Sequence, residues 1–120
     1  MVGETSLLNQ TVARLGEEFP PERVYIVTTQ DLAAETRRML PTLPPGNVIV
    51  EPEGRNTAPC LALALVTIER QHPNAVMVVL SADHWITNRE AFLGDINLAA
   101  SHAAETHDLV TFGIRPAYPE

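Results

Sequence analysis

The stretch Arg23-Val24-Tyr25-Ile26-Val27-Thr28 is a β-branched run of strand length in which polar and apolar residues do not alternate. A strand of this kind belongs in a sheet that is covered on both faces. Asn47-Val48-Ile49-Val50 and Val76-Met77-Val78-Val79-Leu80 have the same character, and Leu109-Val110-Thr111-Phe112-Gly113-Ile114 is the last candidate. The sequence therefore predicts four strands of one buried sheet.

Helical patterns precede and separate these strands. Apolar residues at helical spacing predict four helices, over residues 5–15, 31–40, 58–70 and 89–106. Thr5 or Ser6 is the expected N-cap of the first helix and Gly16 its stop signal, and Thr87 with Glu90 predicts a capping box for the last. Strict alternation of helix and strand predicts an α/β fold with a mostly parallel sheet, helices on both faces and right-handed crossovers. The predicted order begins with a helix and has no helix after the last strand, so we expect the fold to be incomplete at both ends.

Composition narrows the possible functions. The 120 residues carry a net charge of −7, and their eight cations, all arginine, are scattered along the chain. We therefore expect no nucleic-acid partner. No apolar run approaches the roughly 20 residues of a membrane span, so no membrane partner is expected either. The single cysteine, Cys60, lies in an apolar run, which favours a small buried hydrophobe over a reactive thiolate and suits a reducing, cytoplasmic location.

Polar residues follow the most apolar predicted strand directly, as Ser81-Ala82-Asp83-His84. In an open α/β sheet, ligands bind at the carboxyl ends of strands. A carboxylate there can hold Mg²⁺ through one oxygen while substrate phosphates and water complete the octahedron. A turn-forming or helix-capping role explains Asp83 equally well, and a hydrogen-bonded edge position explains His84 better. For Trp85, packing under this segment is favoured over stacking on a ligand.

A second polar segment, Gly54-Arg55-Asn56-Thr57, lies between a predicted strand and a helix N-terminus. Free backbone N–H groups at such an end attract anions, and Arg55 adds a forked donor. Asn56 can offer both a donor and an acceptor to a nucleobase or ribose. Taken alone, the segment is better explained as a turn followed by a well-capped helix with Asn56 or Thr57 at the cap. Two such segments at neighbouring strand ends together favour a ligand site.

The polar segments also carry a resemblance to a known family. Glu51-Pro52-Glu53-Gly54-Arg55-Asn56-Thr57-Ala58-Pro59, then Val79-Leu80-Ser81-Ala82-Asp83-His84, then Thr111-Phe112-Gly113-Ile114-Arg115-Pro116 resemble motifs of the mannose-1-phosphate guanylyltransferases. Gly3-Glu4-Thr5-Ser6-Leu7-Leu8 is similar to the helix after that family's signature loop. The order is kept through essentially the whole chain. The first of these motifs is specific among nucleotidyltransferases, whereas the Ala-Asp-His motif is shared more widely by sugar-nucleotide pyrophosphorylases.

The resemblance implies a Rossmann-like nucleotide-diphospho-sugar transferase fold and the synthesis of GDP-mannose and pyrophosphate from GTP and mannose 1-phosphate, with Mg²⁺ as cofactor. By this similarity Asp83 is a metal-binding aspartate supported by His84. Asn56 and Thr57 line the nucleotide pocket, and Arg55 shapes or charges that loop.

The family also has a first strand, a glycine-rich loop with an arginine, and a lysine ahead of the first helix, and a second metal-binding aspartate further on. We therefore expect residues 1–120 to be a partial nucleotidyltransferase domain, without the glycine-rich loop and the sugar-site half, and inactive alone. This would explain why the sequence contains no lysine. The alternatives left open are another sugar-nucleotide pyrophosphorylase and a non-catalytic nucleotide-binding or interaction module, for which exposed sheet edges would favour a homo-oligomer.

Overall fold

The computed structural model describes residues 6–54 and 56–113. Within this part, the helices and strands are α1 (Leu7–Leu15), β1 (Ile26–Thr29), α2 (Ala33–Met39), β2 (Val48–Glu51), α3 (Thr57–Gln71) and α4 (Arg89–Thr106). Single turns of 3₁₀ helix at Gly16–Glu18, Pro21–Arg23 and Pro45–Asn47 lie between them. All four predicted helices are present, and no helix end differs from its predicted position by more than two residues.

The two strands form a parallel pair. Ile26 lies opposite Val48 and Thr29 opposite Glu51, with α2 as the crossover between the strands. Helix α2 contacts both strands, and α3 contacts β2. The predicted α/β fold with a parallel sheet is confirmed for this βαβ unit.

The predicted caps are confirmed at α1 but not at α4. The Ser6 hydroxyl accepts a hydrogen bond from the Asn9 backbone N–H at 3.2 Å, and Gly16 follows α1 with φ of 61°. At α4 the predicted capping box of Thr87 and Glu90 is wrong by one position. The cap is Asn88, whose side chain accepts from the Ala91 N–H at 3.0 Å. An asparagine carbonyl and a threonine hydroxyl both serve as cap acceptors, so residue preference alone did not separate the neighbours.

Two of the four predicted strands do not form in the described part of the chain. Residues 76–80 have no strand partner, nor do residues 109–113; Ile114 lies outside the described residues. An apolar run becomes a strand only when a neighbouring backbone satisfies its N–H and C=O groups. The sheet of the described residues consists of β1 and β2 alone, so neither run has such a neighbour there.

The main core cluster lies between α1 and the ends of α2 and β1. Its buried members are Leu15, Val24, Leu40 and Leu43, and Leu80 packs against them. Residues 76–80 thus approach the core at one end while Val79 stays 53% exposed. No helix among the described residues has the length and apolar character required to cross a membrane.

Candidate functional site

Residues 52–54 lie beside the carboxyl ends of both strands. They begin the loop that follows β2, and a Cβ at Gly54 would lie 4.0 Å from Cγ2 of Thr29, the last residue of β1. The parallel pairing explains this position, because parallel strands end at the same edge of a sheet. The predicted ligand segment that begins at Gly54 therefore starts at the edge at which α/β proteins bind ligands.

At the end of this loop, Asn56 and Thr57 are exposed at the start of α3. Asn56 occupies the N-cap position with φ of 69°, and its side chain makes no capping hydrogen bond. Asn56 therefore does not cap α3 through its side chain, which was one explanation of this segment. Arg55, the third predicted residue of this segment, lies outside the described residues.

A cavity of about 330 Å³ adjoins the same loop. Glu51, Pro52 and Glu53 line one part of it, and Pro59 and Leu63 of α3 line another. Cys60 is half-buried, and burial raises the pKa of its thiol, assisted by the negative charge of Glu51 and by a hydrogen bond to that carboxylate. A thiol with a raised pKa stays protonated and is a poor nucleophile, in agreement with the predicted unreactive role.

Asp83 and His84 are exposed in the loop that precedes α4. Helix α1 holds this loop by its backbone: the Thr11 hydroxyl donates to the Ala82 carbonyl, and Nη2 of Arg14 donates to the His84 carbonyl, both at 3.3 Å. The prediction that Trp85 packs beneath the segment is wrong, because its side chain is 58% exposed. The loop contacts α1 through its carbonyl groups, which leaves the indole on the outside.

The two predicted ligand segments contact different elements of the fold. Gly54 adjoins the end of β1, whereas Ala82 and His84 accept hydrogen bonds from α1. Among residues 6–54 and 56–113, no group of three or more His, Cys, Asp and Glu side chains is arranged to hold a metal ion. Asp83 accordingly offers a single exposed carboxylate. Such a group suits Mg²⁺ only where substrate phosphates and water supply the other ligands.

Thr11 and Arg14 are the residues that sequence reasoning missed. Both are buried polar residues on the inward face of α1. Their spacing was the available signal, because Thr11 lies three residues after Leu8 and four before Leu15, on the face that the apolar pattern turns toward the core. A polar residue in that position needs a partner inside the protein.

The fold and the loop at its strand ends define an α/β protein with a parallel sheet and polar segments at the carboxyl edge. The chain belongs to the nucleotidyl transferase family, whose model matches residues 1–120. This confirms, at the level of the family, the resemblance carried by the sequence motifs.

Relatives named mannose-1-phosphate guanylyltransferase match the whole chain or nearly all of it. Those from Escherichia coli and Klebsiella pneumoniae are each 42% identical over 122 aligned residues, which cover 100% of this chain and 26% of the relative. A relative of that name from Salmonella typhimurium is 41% identical, with 98% of this chain and 25% of the relative covered. The chain thus spans about a quarter of the length of these curated relatives.

Proposed function

We propose that the chain is part of a mannose-1-phosphate guanylyltransferase, a cytoplasmic enzyme that makes GDP-mannose and pyrophosphate from GTP and mannose 1-phosphate. The observation that carries this proposal is 42% identity over the whole chain to relatives of that name. The exposed polar loop at the carboxyl edge of the sheet supports it, because nucleotides bind α/β folds at this edge.

The residues of the two loops have distinct proposed roles. Asn56 and Thr57, with Arg55 beside them in the sequence, contact the nucleotide. The Asn56 side chain makes no capping hydrogen bond, so its amide can bind the edge of a base or ribose. Asp83 binds Mg²⁺ through one carboxylate oxygen, and His84 supports it. When bound, Mg²⁺ neutralises phosphate charge during the transfer.

The reaction is a substitution at phosphorus. A phosphate oxygen of mannose 1-phosphate forms a bond to the α-phosphorus of GTP, and the bond from that phosphorus to the pyrophosphate oxygen breaks. Most of the catalysis in such a step is positioning and charge neutralisation. We propose that residues 1–120 form a partial nucleotidyltransferase domain that binds nucleotide weakly and does not turn over alone. The carboxylate of Asp83 is itself negative, so Asp83 contributes to neutralising a triphosphate only through the Mg²⁺ that it would hold.

Nucleotide binding can be tested on the 120-residue chain directly. We expect GTP with Mg²⁺ to raise its melting temperature, and Asp83→Asn to abolish the Mg²⁺-dependent part of that rise. Asp95→Asn, at an exposed aspartate of α4, is the matched control and should behave like the unsubstituted chain. Comparing GTP with other nucleoside triphosphates separates this enzyme from other sugar-nucleotide pyrophosphorylases.

Turnover needs the remainder of such an enzyme. We would replace the matching segment of the Escherichia coli relative with residues 1–120 and measure pyrophosphate release. Asp83→Asn in this chimera should lower kcat by about 100-fold or more, as for loss of one charge-stabilising group. No melting shift with any nucleotide, together with a dimer in light scattering, would instead favour the non-catalytic interaction module. The feature that supports that alternative is the exposure of Val76 and Val79, in a run without a strand partner among the described residues.

A further inference from the structure

Helix α1 buries two polar side chains, Thr11 at 6% exposure and Arg14 at 9%. Burying an arginine is costly unless its guanidinium finds hydrogen-bond acceptors, and a buried hydroxyl has the same need on a smaller scale. Valine and leucine would fill such positions without that requirement. The hydrogen-bond acceptors of Thr11 and Arg14 therefore indicate the role of the two side chains.

Both side chains bind the backbone of one short loop. The Thr11 hydroxyl donates to the carbonyl of Ala82 and the Arg14 guanidinium to the carbonyl of His84, each at 3.3 Å. The first carbonyl belongs to the peptide plane just before Asp83, and the second belongs to the plane just after His84. Two peptide planes that bracket a dipeptide are thereby fixed by a single helix, although more than 65 residues of chain separate the partners.

Arg14 also contacts two residues of α4, Phe92 and Arg89. Its guanidinium carbon lies 5.6 Å from the centroid of the Phe92 ring, in cation–π range, and its backbone carbonyl accepts from Nε of Arg89 at 2.8 Å. The Arg89 guanidinium also lies against Gly16, where a Cβ would collide with it. Both ends of the segment from Ala82 to Arg89 are therefore fastened to α1, which limits how the loop can move.

We infer that Thr11 and Arg14 are positioning residues that set the backbone of residues 82–84 and so the direction of the Asp83 carboxylate. That Thr11 and Arg14 orient the loop rests on their hydrogen bonds alone. That this orientation serves Mg²⁺ binding by Asp83 rests on the proposed function. Neither side chain is placed to touch a substrate, because both are buried behind the loop whose exposed face carries Asp83. Their influence passes through the loop backbone.

Trp85, the only tryptophan, makes the loop measurable in the 120-residue chain. We expect Thr11→Val to enlarge the fast component of the Trp85 anisotropy decay, because one of the two bracketing bonds is lost. Thr11→Ser, which keeps the hydroxyl, should restore the slow decay. The matched control is Thr36→Val: Thr36 is also a buried helical threonine, at 4% exposure, but its hydroxyl donates to the carbonyl of Leu32, the N-cap residue of its own helix.

Arg14→Met keeps an unbranched side chain of similar length and removes the second bond, so it should enlarge the fast component further. In both variants the affinity for GTP with Mg²⁺ should fall by about two- to tenfold, the effect of one hydrogen bond of ordinary strength. An unchanged anisotropy decay in folded Thr11→Val and Arg14→Met would overturn the inference, as would an equal change in Thr36→Val. If the unsubstituted chain fails to bind GTP while the Trp85 contrast persists, the proposed function fails and the positioning of the loop stands.

Discussion

Strand β2 and residues 76–80 are both short apolar runs rich in valine, but they differ in burial and in strand pairing. Val48 and Ile49 of β2 are 5% and 8% exposed, whereas Val76 and Val79 are 42% and 53% exposed. The composition of the two runs does not account for the contrast. β2 has β1 on one side and α2 and α3 packed against it, while residues 76–80 have no strand partner in the described part of the chain. Burial of an apolar run is thus decided by its neighbours.

The sharpest test of this comparison is the same substitution in both runs. Val48→Asp places an unpaired carboxylate at a buried position and should lower the free energy of unfolding by at least about 3 kcal/mol. Val79→Asp, at a half-exposed position, should change it by no more than about 0.5 kcal/mol. Urea denaturation of the two variants measures both values. Equal losses would show that residues 76–80 are as closely packed as β2.

A smaller effect is expected at the entrance to the paired strands. Asn47 is 4% exposed, and its side-chain nitrogen donates to the carbonyls of Pro21, Glu22 and Val24 at 3.0–3.3 Å, with one hydrogen shared. It therefore joins the residue before β2 to the segment that leads into β1. Asn47→Ala removes three hydrogen bonds that are buried or partly buried and should cost about 1–3 kcal/mol.

Asn97→Ala is the control for this variant. The Asn97 amide also donates a hydrogen bond, to Glu18 Oε2 at 2.9 Å, but on the exposed surface. Its loss should change stability by less than about 0.5 kcal/mol. If the two alanine variants unfold at the same urea concentration, the strand entrance is not held by Asn47.

The smallest effect is expected at the other end of β1. The Thr29 hydroxyl donates to the carboxylate of Asp31, which lowers the pKa of that carboxyl together with the backbone N–H groups of Asp31 and Leu32. Since the folded pKa lies below the unfolded one, Asp31 stabilises the fold above its unfolded pKa, and this contribution is lost as the pH falls through the folded pKa.

Thr29→Val should raise the pKa of Asp31 toward its ordinary value and weaken this acid dependence, with little change at neutral pH because Asp31 is fully exposed. A carboxyl titration followed by NMR measures the shift. Thr28→Val, one residue earlier in β1, should leave the titration of Asp31 unchanged. An unaltered pKa in Thr29→Val would assign the shift to the backbone donors alone.

Most local features were predictable from residue patterns. The Ser6 cap, the Gly16 stop and all four helices depend on contacts within a few residues, so the sequence contains their causes. The βαβ unit was predictable for a related reason, since a short helix between two buried runs leaves few other arrangements. Position along the chain also placed Asn56 and Thr57 at the carboxyl edge of the sheet.

What failed or was missed depends on distant partners. Trp85 was expected to pack inward and residues 76–80 to form a strand, and both expectations assumed neighbours that the described structure does not supply. Thr11 and Arg14 were overlooked because their roles arise only where α1 meets a loop some 70 residues later. No pattern within α1 indicates which backbone its polar residues will bind.

The sequence by itself determined the helices, the parallel βαβ unit, and the family, because these follow from local spacing and from motifs that keep their order. Tertiary structure alone decided which valine-rich run became a strand and which side chains hold the Asp83 loop. Hydrogen-bond partners and burial are properties of pairs of segments, and an amino-acid pattern describes only one member of each pair.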